Sequence, residues 1–192
     1  MKNFSIVSYL SDGELNSVRN LQEKLSKITG STKSLKSWLP HITVGDAISI
    51  PDDILRDLEI KLHAFSKDYK SISVHVKGFG GTKNWGGAVS EKISPDVIWI
   101  DLNLSTELKH LFNNLRDQIT SNYNTWLPRI KNYQPHVTLA FFDLTEEGYK
   151  KGIEFLKTQK SEKIFHINSI SLVECYGEGN MTSSEYKRFN LN

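Results

Sequence analysis

The apolar positions change period along the chain, and each change marks an element. FSIVSYL (residues 4–10) is a nearly continuous apolar run, as in a strand buried in a core. From 12 to 28 the apolar residues Leu15, Val18, Leu21, Leu25 and Ile28 recur at helical spacing, with Ser11 or Asp12 as N-cap. A polar stretch, GSTKSLKSW (30–38), predicts a loop, and HITV (41–44) predicts a short strand. Residues 51–67 repeat the helical pattern through Ile54, Leu58 and Leu62, with Pro51 at the start and acids early. SISVHVKGF (71–79) and DVIWIDLNL (96–104) alternate as strands, and GGTKNWGG (80–87) between them predicts a turn.

The order then recurs. A helix over 105–123 opens at Ser105 or Thr106 and carries a stripe of Leu108, Leu111, Phe112, Leu115 and Ile119. QPHVTLAFF (134–142) predicts a strand, 145–159 a helix, 165–177 a strand and 185–191 a last strand. Each half therefore reads strand, helix, loop, strand, helix, strand, with no low-complexity linker between the halves. This predicts one α+β domain over 1–192. Its two lobes, about 1–95 and 96–192, are built on mostly antiparallel sheets flanked by helices, and a pseudo-twofold between them would let both converge on one cleft. The pattern leaves open whether the lobes exchange strands.

Within that order one feature is duplicated. LPHITV (39–44) and QPHVTL (134–139) share Pro-His-apolar-Thr-apolar, about half the chain apart. On a strand, side chains two apart share a face, so His41 and Thr43 project together, as do His136 and Thr138. Ile42, Val44, Val137 and Leu139 fall on the opposite, anchoring face, and each Pro favours an extended start. One such pair is an ordinary surface feature. Two copies at matching places in the order point to two imidazoles and two hydroxyls facing one cleft. With pKa values near 6.5, one imidazole can accept a proton while the other donates one. Two threonine hydroxyls can donate to the non-bridging oxygens of a phosphodiester. No metal or cofactor is required by this scheme.

The two motifs resemble those of the 2H (two-histidine) phosphoesterase superfamily, which includes the 2′,5′ RNA ligase-like proteins of bacteria and archaea and the eukaryotic cyclic phosphodiesterases. Its first motif matches His41-Ile42-Thr43-Val44 and its second His136-Val137-Thr138-Leu139. The resemblance implies a bilobal fold with the active-site cleft between two antiparallel sheets, and metal-free chemistry on 2′,3′-cyclic phosphates or 2′-5′ phosphodiesters of nucleotides or RNA ends. It implies His41 and His136 as acid and base, and Thr43 and Thr138 as phosphate ligands. The chain departs from the ligase-like branch in having no arginine-rich segment beside the second motif; Arg129 and Lys131 are the nearest cations.

The totals narrow the alternatives. With 24 Lys and Arg against 22 Asp and Glu, the net charge of +2 does not itself indicate a nucleic-acid partner. Lys24, Lys27, Lys33 and Lys36 cluster, as a solvated helix face and loop would. A single cysteine, Cys175, excludes a disulfide within the chain. No apolar stretch reaches the roughly 18–20 residues of a membrane span, and the first residues lack a signal-peptide pattern. We expect a cytoplasmic monomer without a membrane partner. His63, His75, His110 and His166 lack the Thr two residues on, and no HxxxH, HExxH or CxxC occurs, so no metal site is expected. GFGGT and WGG lack the context of a phosphate loop. Among Tyr9, Trp38, Trp126, Tyr133 and Tyr176, Trp38 and Tyr133 are the favoured substrate-stacking residues, because each lies within three residues of a motif histidine. A module that binds a nucleotide or RNA end without turnover, and a 2′-5′ ligase, are the alternatives.

Overall fold

The computed structural model describes residues 1–83, 94–160, 163–177 and 182–192. In chain order the elements are β1 (Lys2–Tyr9), α1 (Asp12–Thr29), α2 (Lys33–Ser37), β2 (His41–Thr43), β3 (Ile48–Ile50), α3 (Leu55–Lys67), β4 (Ile72–Thr82), β5 (Ser94–Leu102), α4 (Thr106–Gln118), β6 (Asn124–Thr125), β7 (His136–Phe142), α5 (Glu146–Leu156), β8 (Ile164–Ile167), β9 (Ser169–Tyr176) and β10 (Thr182–Asn190). Two antiparallel sheets result, flanked by helices. One runs β10-β9-β1-β3-β6, with β2 also on β1; the other runs β7-β5-β4-β8. Each sheet takes strands from both halves of the chain.

The motif strands are anchored as their alternation requires. Ile42, Val44 and Val137 are 0% exposed and Leu139 is 2% exposed. They join one continuous core with Phe4, Leu25, Leu62, Ile98 and Phe165, which spans both sheets. Truncating such a residue to Ala costs about 2–5 kcal/mol, so the strands carrying the histidines are held firmly. β2 pairs with β1 (Tyr9 opposite His41, Val7 opposite Thr43), and β7 pairs with β5 (Asp101 opposite His136, Trp99 opposite Thr138). β2 and β7 touch each other, so the two sheets meet along the motif strands.

Four local expectations are corrected. The predicted loop at 30–38 contains α2. Its first turn is organised by Asp143, at the end of β7, whose carboxylate accepts from the Ser31 hydroxyl (2.6 Å) and the Thr32 N–H (3.0 Å). The turn expected from Gly80 does not start there, because β4 continues to Thr82. There the Trp99 indole lies over Gly80, where a Cβ would stand 2.6 Å from Nε1, so glycine in the strand admits a ring rather than a bend. Trp85-Gly86-Gly87 lies outside the described residues. The single strand expected at 165–177 is two, β8 and β9, and they belong to different sheets. Finally, β3 and β6 are strands with no counterpart in the sequence pattern. β3 follows a jog in which Val44 and Gly45 N–H both donate to the Ile6 carbonyl (2.9 and 3.2 Å). The jog leads into Asp46, which is 1% exposed.

Candidate active site

The two motifs open on one cavity of about 520 Å³, lined by His41, Thr43, His136, Thr138, Trp38 and Tyr133 among others. The histidines are set identically. His41 Nδ1 lies 2.7 Å from the carbonyl of Leu39, and His136 Nδ1 lies 2.9 Å from the carbonyl of Gln134, each two residues upstream. A carbonyl only accepts, so each Nδ1 carries a proton and each neutral ring keeps its lone pair on Nε2. Among the described residues neither threonine hydroxyl has a protein partner, which leaves both to donate to a ligand.

Helix α1 braces both motifs from beneath. Arg19 donates to the carbonyls of Leu35 (2.7 Å) and Trp38 (3.3 Å) and to Gln22 Oε1 (3.0 Å). Gln22, 3% exposed, in turn donates to the Thr138 carbonyl (3.1 Å). One Arg–Gln pair therefore fixes the approach to His41 and the middle of the second motif.

The surroundings of the two rings differ. Beside His41 stand Trp38 (ring centroids 5.3 Å) and Tyr9 (6.3 Å, edge-on). Beside His136 stands Trp99 (5.7 Å), with the Asp101 carboxylate on the neighbouring strand. Burial pushes His41 down to about 4, against the pull of the Leu39 carbonyl, and the charge of a protonated His136 pushes the same way. The two rings are thus close enough to resist being charged together. Burial lowers His136 as well, but the Gln134 carbonyl and the Asp101 carboxylate both oppose it. Asp101 also accepts from Gln134 Nε2 (3.2 Å) and pairs with Lys77 (3.2 Å).

Not every expected residue has the expected setting. Tyr133 lines the cavity, but its ring is stacked on Phe112 (3.9 Å, 3° between planes) and its hydroxyl donates to the Thr43 carbonyl (2.8 Å). One face is occupied, and the side chain ties the wall to β2. Trp126 lines the cavity while its indole donates to the Phe4 carbonyl (3.0 Å). Tyr176 is exposed and outside the lining. His63, His75, His110 and His166 are outside it too, and His166 pairs with Glu14 (2.8 Å). Arg129, one of the two cations nearest the second motif, donates to Asp46 (3.2 Å) and to the carbonyls of Thr120 and Tyr123 (3.2 and 2.8 Å).

Asp46, Trp99, Asp101 and Gln22 were not indicated by the sequence. Asp46 accepts from Arg116, Arg129, the Ile130 N–H and Thr120, and so holds the start of the 129–134 wall. Asp101 and Trp99 follow from the β5–β7 register, which no local pattern reveals. Among the described residues no group of three or more His, Cys, Asp or Glu is placed to hold a metal ion, and no helix is long and apolar enough to cross a membrane.

Known proteins share this fold. TT0787 of Thermus thermophilus superposes with a TM-score of 0.66 at 14% identity, covering 98% of this chain and 97% of its own. A structure described as a phosphoesterase gives 0.61 at 12% identity, with 100% and 99% covered. Escherichia coli LigT, solved with 3′-AMP, gives 0.57 at 12% identity, with 100% and 98% covered. At these identities the likeness is one of fold. No curated protein sequence matches the chain. A family model, by contrast, matches residues 13–178, a span that contains both His-x-Thr motifs and, among the described strands, all but β1 and β10. The chain belongs to the 2′-5′ RNA ligase superfamily, the 2H phosphoesterases.

Proposed function

We propose that the protein is a phosphodiesterase that opens 2′,3′-cyclic phosphates or 2′-5′ phosphodiesters of nucleotides or RNA ends, using His41 and His136 and no metal. The observation that carries this reading is the duplicated clamp. Two imidazoles, each with Nδ1 committed to the carbonyl two residues back, share one cavity with two threonine hydroxyls that have no partner among the described residues. A site that only bound phosphate would gain little from a ring kept neutral, as His41 is, since a neutral ring adds no positive charge.

The asymmetry between the rings suggests their roles. His41, depressed to about 4, stays neutral at physiological pH and is suited to take a proton from the attacking water. The Asp101 carboxylate favours a proton on His136, and an anionic phosphate in the cleft would favour it further. In hydrolysis of a cyclic phosphate, water attacks phosphorus and loses its proton to His41. The bond to one ribose oxygen breaks, and that oxygen takes the proton from His136. The Thr43 and Thr138 hydroxyls donate to the non-bridging oxygens, and the net change is addition of one water.

The test is a panel of 2′,3′-cyclic nucleotides and 2′-5′ linked oligonucleotides, assayed with EDTA present and with His136→Ala alongside. Turnover that persists in EDTA and vanishes in the variant is expected. Turnover abolished by EDTA and restored by a divalent cation would overturn the metal-free scheme. Binding of the panel without any hydrolysis would leave a nucleotide-binding module.

A further inference from the structure

The cleft carries little unspent positive charge, and it contains one strained aromatic residue. Among the described residues of the lining, the cations other than the histidines are Arg129 and Lys131. Arg129 is already committed to Asp46 and to main-chain carbonyls, and Arg116 behind it is bound to the same carboxylate. The adjacent wall is Trp126, Leu127, Pro128 and Ile130. A polyanionic strand is gripped by Lys and Arg along its phosphates, and this lining offers little of that. Its volume of about 520 Å³ suits a small molecule, for which pockets run to about 300–1,000 Å³.

Phe142 supplies the positive half of the inference. It ends β7, lines the cavity, and has φ 72°, which bulky side chains rarely adopt. It is the one non-glycine residue with positive φ among those described. Its conformation is held from both sides. Phe141 lies against its ring (centroids 4.3 Å), and Asp143 is locked to Ser31 and Thr32. A costly backbone conformation that places an aromatic ring in a ligand cavity is a device for presenting that ring.

Resting on the phosphodiesterase reading, we propose that the substrate is a mononucleotide-sized cyclic phosphodiester bearing one flat aromatic group. Phe142 stacks that group and sets specificity, and the threonine hydroxyls and the two imidazoles, rather than a row of lysines and arginines, hold the single phosphate. An RNA end is then at best an equal substrate, because nucleotides beyond the first find no cationic track among the described residues.

The experiment compares 2′,3′-cyclic AMP, glycerol 1,2-cyclic phosphate and a hexanucleotide ending in a 2′,3′-cyclic phosphate, between low and moderate salt. One stack predicts a kcat/KM for cyclic AMP roughly 10–100-fold above the glycerol ester. The hexanucleotide should stay within about threefold of cyclic AMP, with a log–log salt slope near −1 or shallower. Phe142→Ala should cut the preference for cyclic AMP over the glycerol ester by about tenfold. A hexanucleotide favoured more than about tenfold, with a slope of about −3 or steeper, would overturn the proposal in favour of an RNA substrate. An unchanged preference in Phe142→Ala would overturn the stacking role. Calorimetry with adenosine 2′-monophosphate and glycerol 2-phosphate separates this proposal from the one beneath it. The same affinity ratio without turnover would sink the phosphodiesterase reading alone, whereas a ratio near one would sink this proposal whatever the turnover.

Discussion

Replacing Asp46 by Asn should weaken the fold and loosen the cleft together. The carboxylate has no exposed surface in its side chain. It accepts from Arg116 Nε and Nη2 (3.2 Å each), Arg129 Nη1 (3.2 Å), the Ile130 N–H (3.1 Å) and the Thr120 hydroxyl (3.4 Å). Asn keeps the shape but turns an NH₂ toward guanidinium or amide donors, so at least one buried donor loses its acceptor. Breaking a fully buried ion pair costs about 3–5 kcal/mol. Here the partners are partly wet, with Arg116 25% and Arg129 39% exposed, which lowers the expected loss to about 2–4 kcal/mol. Urea unfolding should show a lower midpoint at unchanged m. Because the freed segment is the 129–134 wall of the cavity, KM should rise several-fold with a smaller effect on kcat. Adding Arg116→Met should recover part of the lost stability, since it removes the charge left stranded. A loss under about 1 kcal/mol, or a double variant as weak as the sum of the singles, would refute the account of Asp46 as the anchor of that wall.

Other outcomes follow from particular contacts. His41 is held neutral down to about pH 4 in the folded protein, against 6.5 unperturbed. Between those values the unfolded chain binds more protons, so this group makes stability rise with pH from about 4 to 6.5, by roughly 3 kcal/mol. Imidazole NMR should place the His41 midpoint below 5, and a midpoint near 6.5 would contradict the buried setting. Asp101→Asn removes the carboxylate that favours a proton on His136, so the alkaline limb of the kcat/KM profile should move to lower pH while the acid limb stays. Phe142→Gly and Phe142→Ala both lose the ring, but only Ala retains a Cβ at φ 72°. The Gly variant should be the more stable by about 1 kcal/mol, as read by thermal unfolding, and equal stabilities would argue against strain there.

The sequence exposed the candidate site's residues better than its scaffold. The i, i+2 spacing of His41–Thr43 and His136–Thr138 was sufficient to put imidazole and hydroxyl on one face, and the apolar partners Ile42 and Val137 do anchor the opposite one. The duplicated element order pointed to the α+β class and the antiparallel sheets. What escaped was long-range or too short to show a period. β3 and β6 have three and two residues, and α2 is one polar turn set by Asp143 from far along the chain. Glycines at 78–81 look like a turn, yet Gly80 sits in a strand under Trp99. Asp46 in Gly-Asp-Ala resembles a surface turn, and only the fold brings two arginines to it. Tyr133 shows the limit of proximity in sequence: it lies near His136, but its hydroxyl and one ring face serve Thr43 and Phe112.

The central claim is that His41 and His136 act as one unit on one phosphodiester. The most direct test is a double-mutant cycle on hydrolysis of 2′,3′-cyclic AMP in EDTA, with His41→Ala, His136→Ala and both together. General acid and general base each contribute about 10²–10⁴-fold, and groups that act in concert are non-additive. Each single variant should therefore lose at least about 10²-fold in kcat, and the double little more than the worse single. Single losses under about tenfold, or a double loss equal to their product, would contradict the two-histidine mechanism.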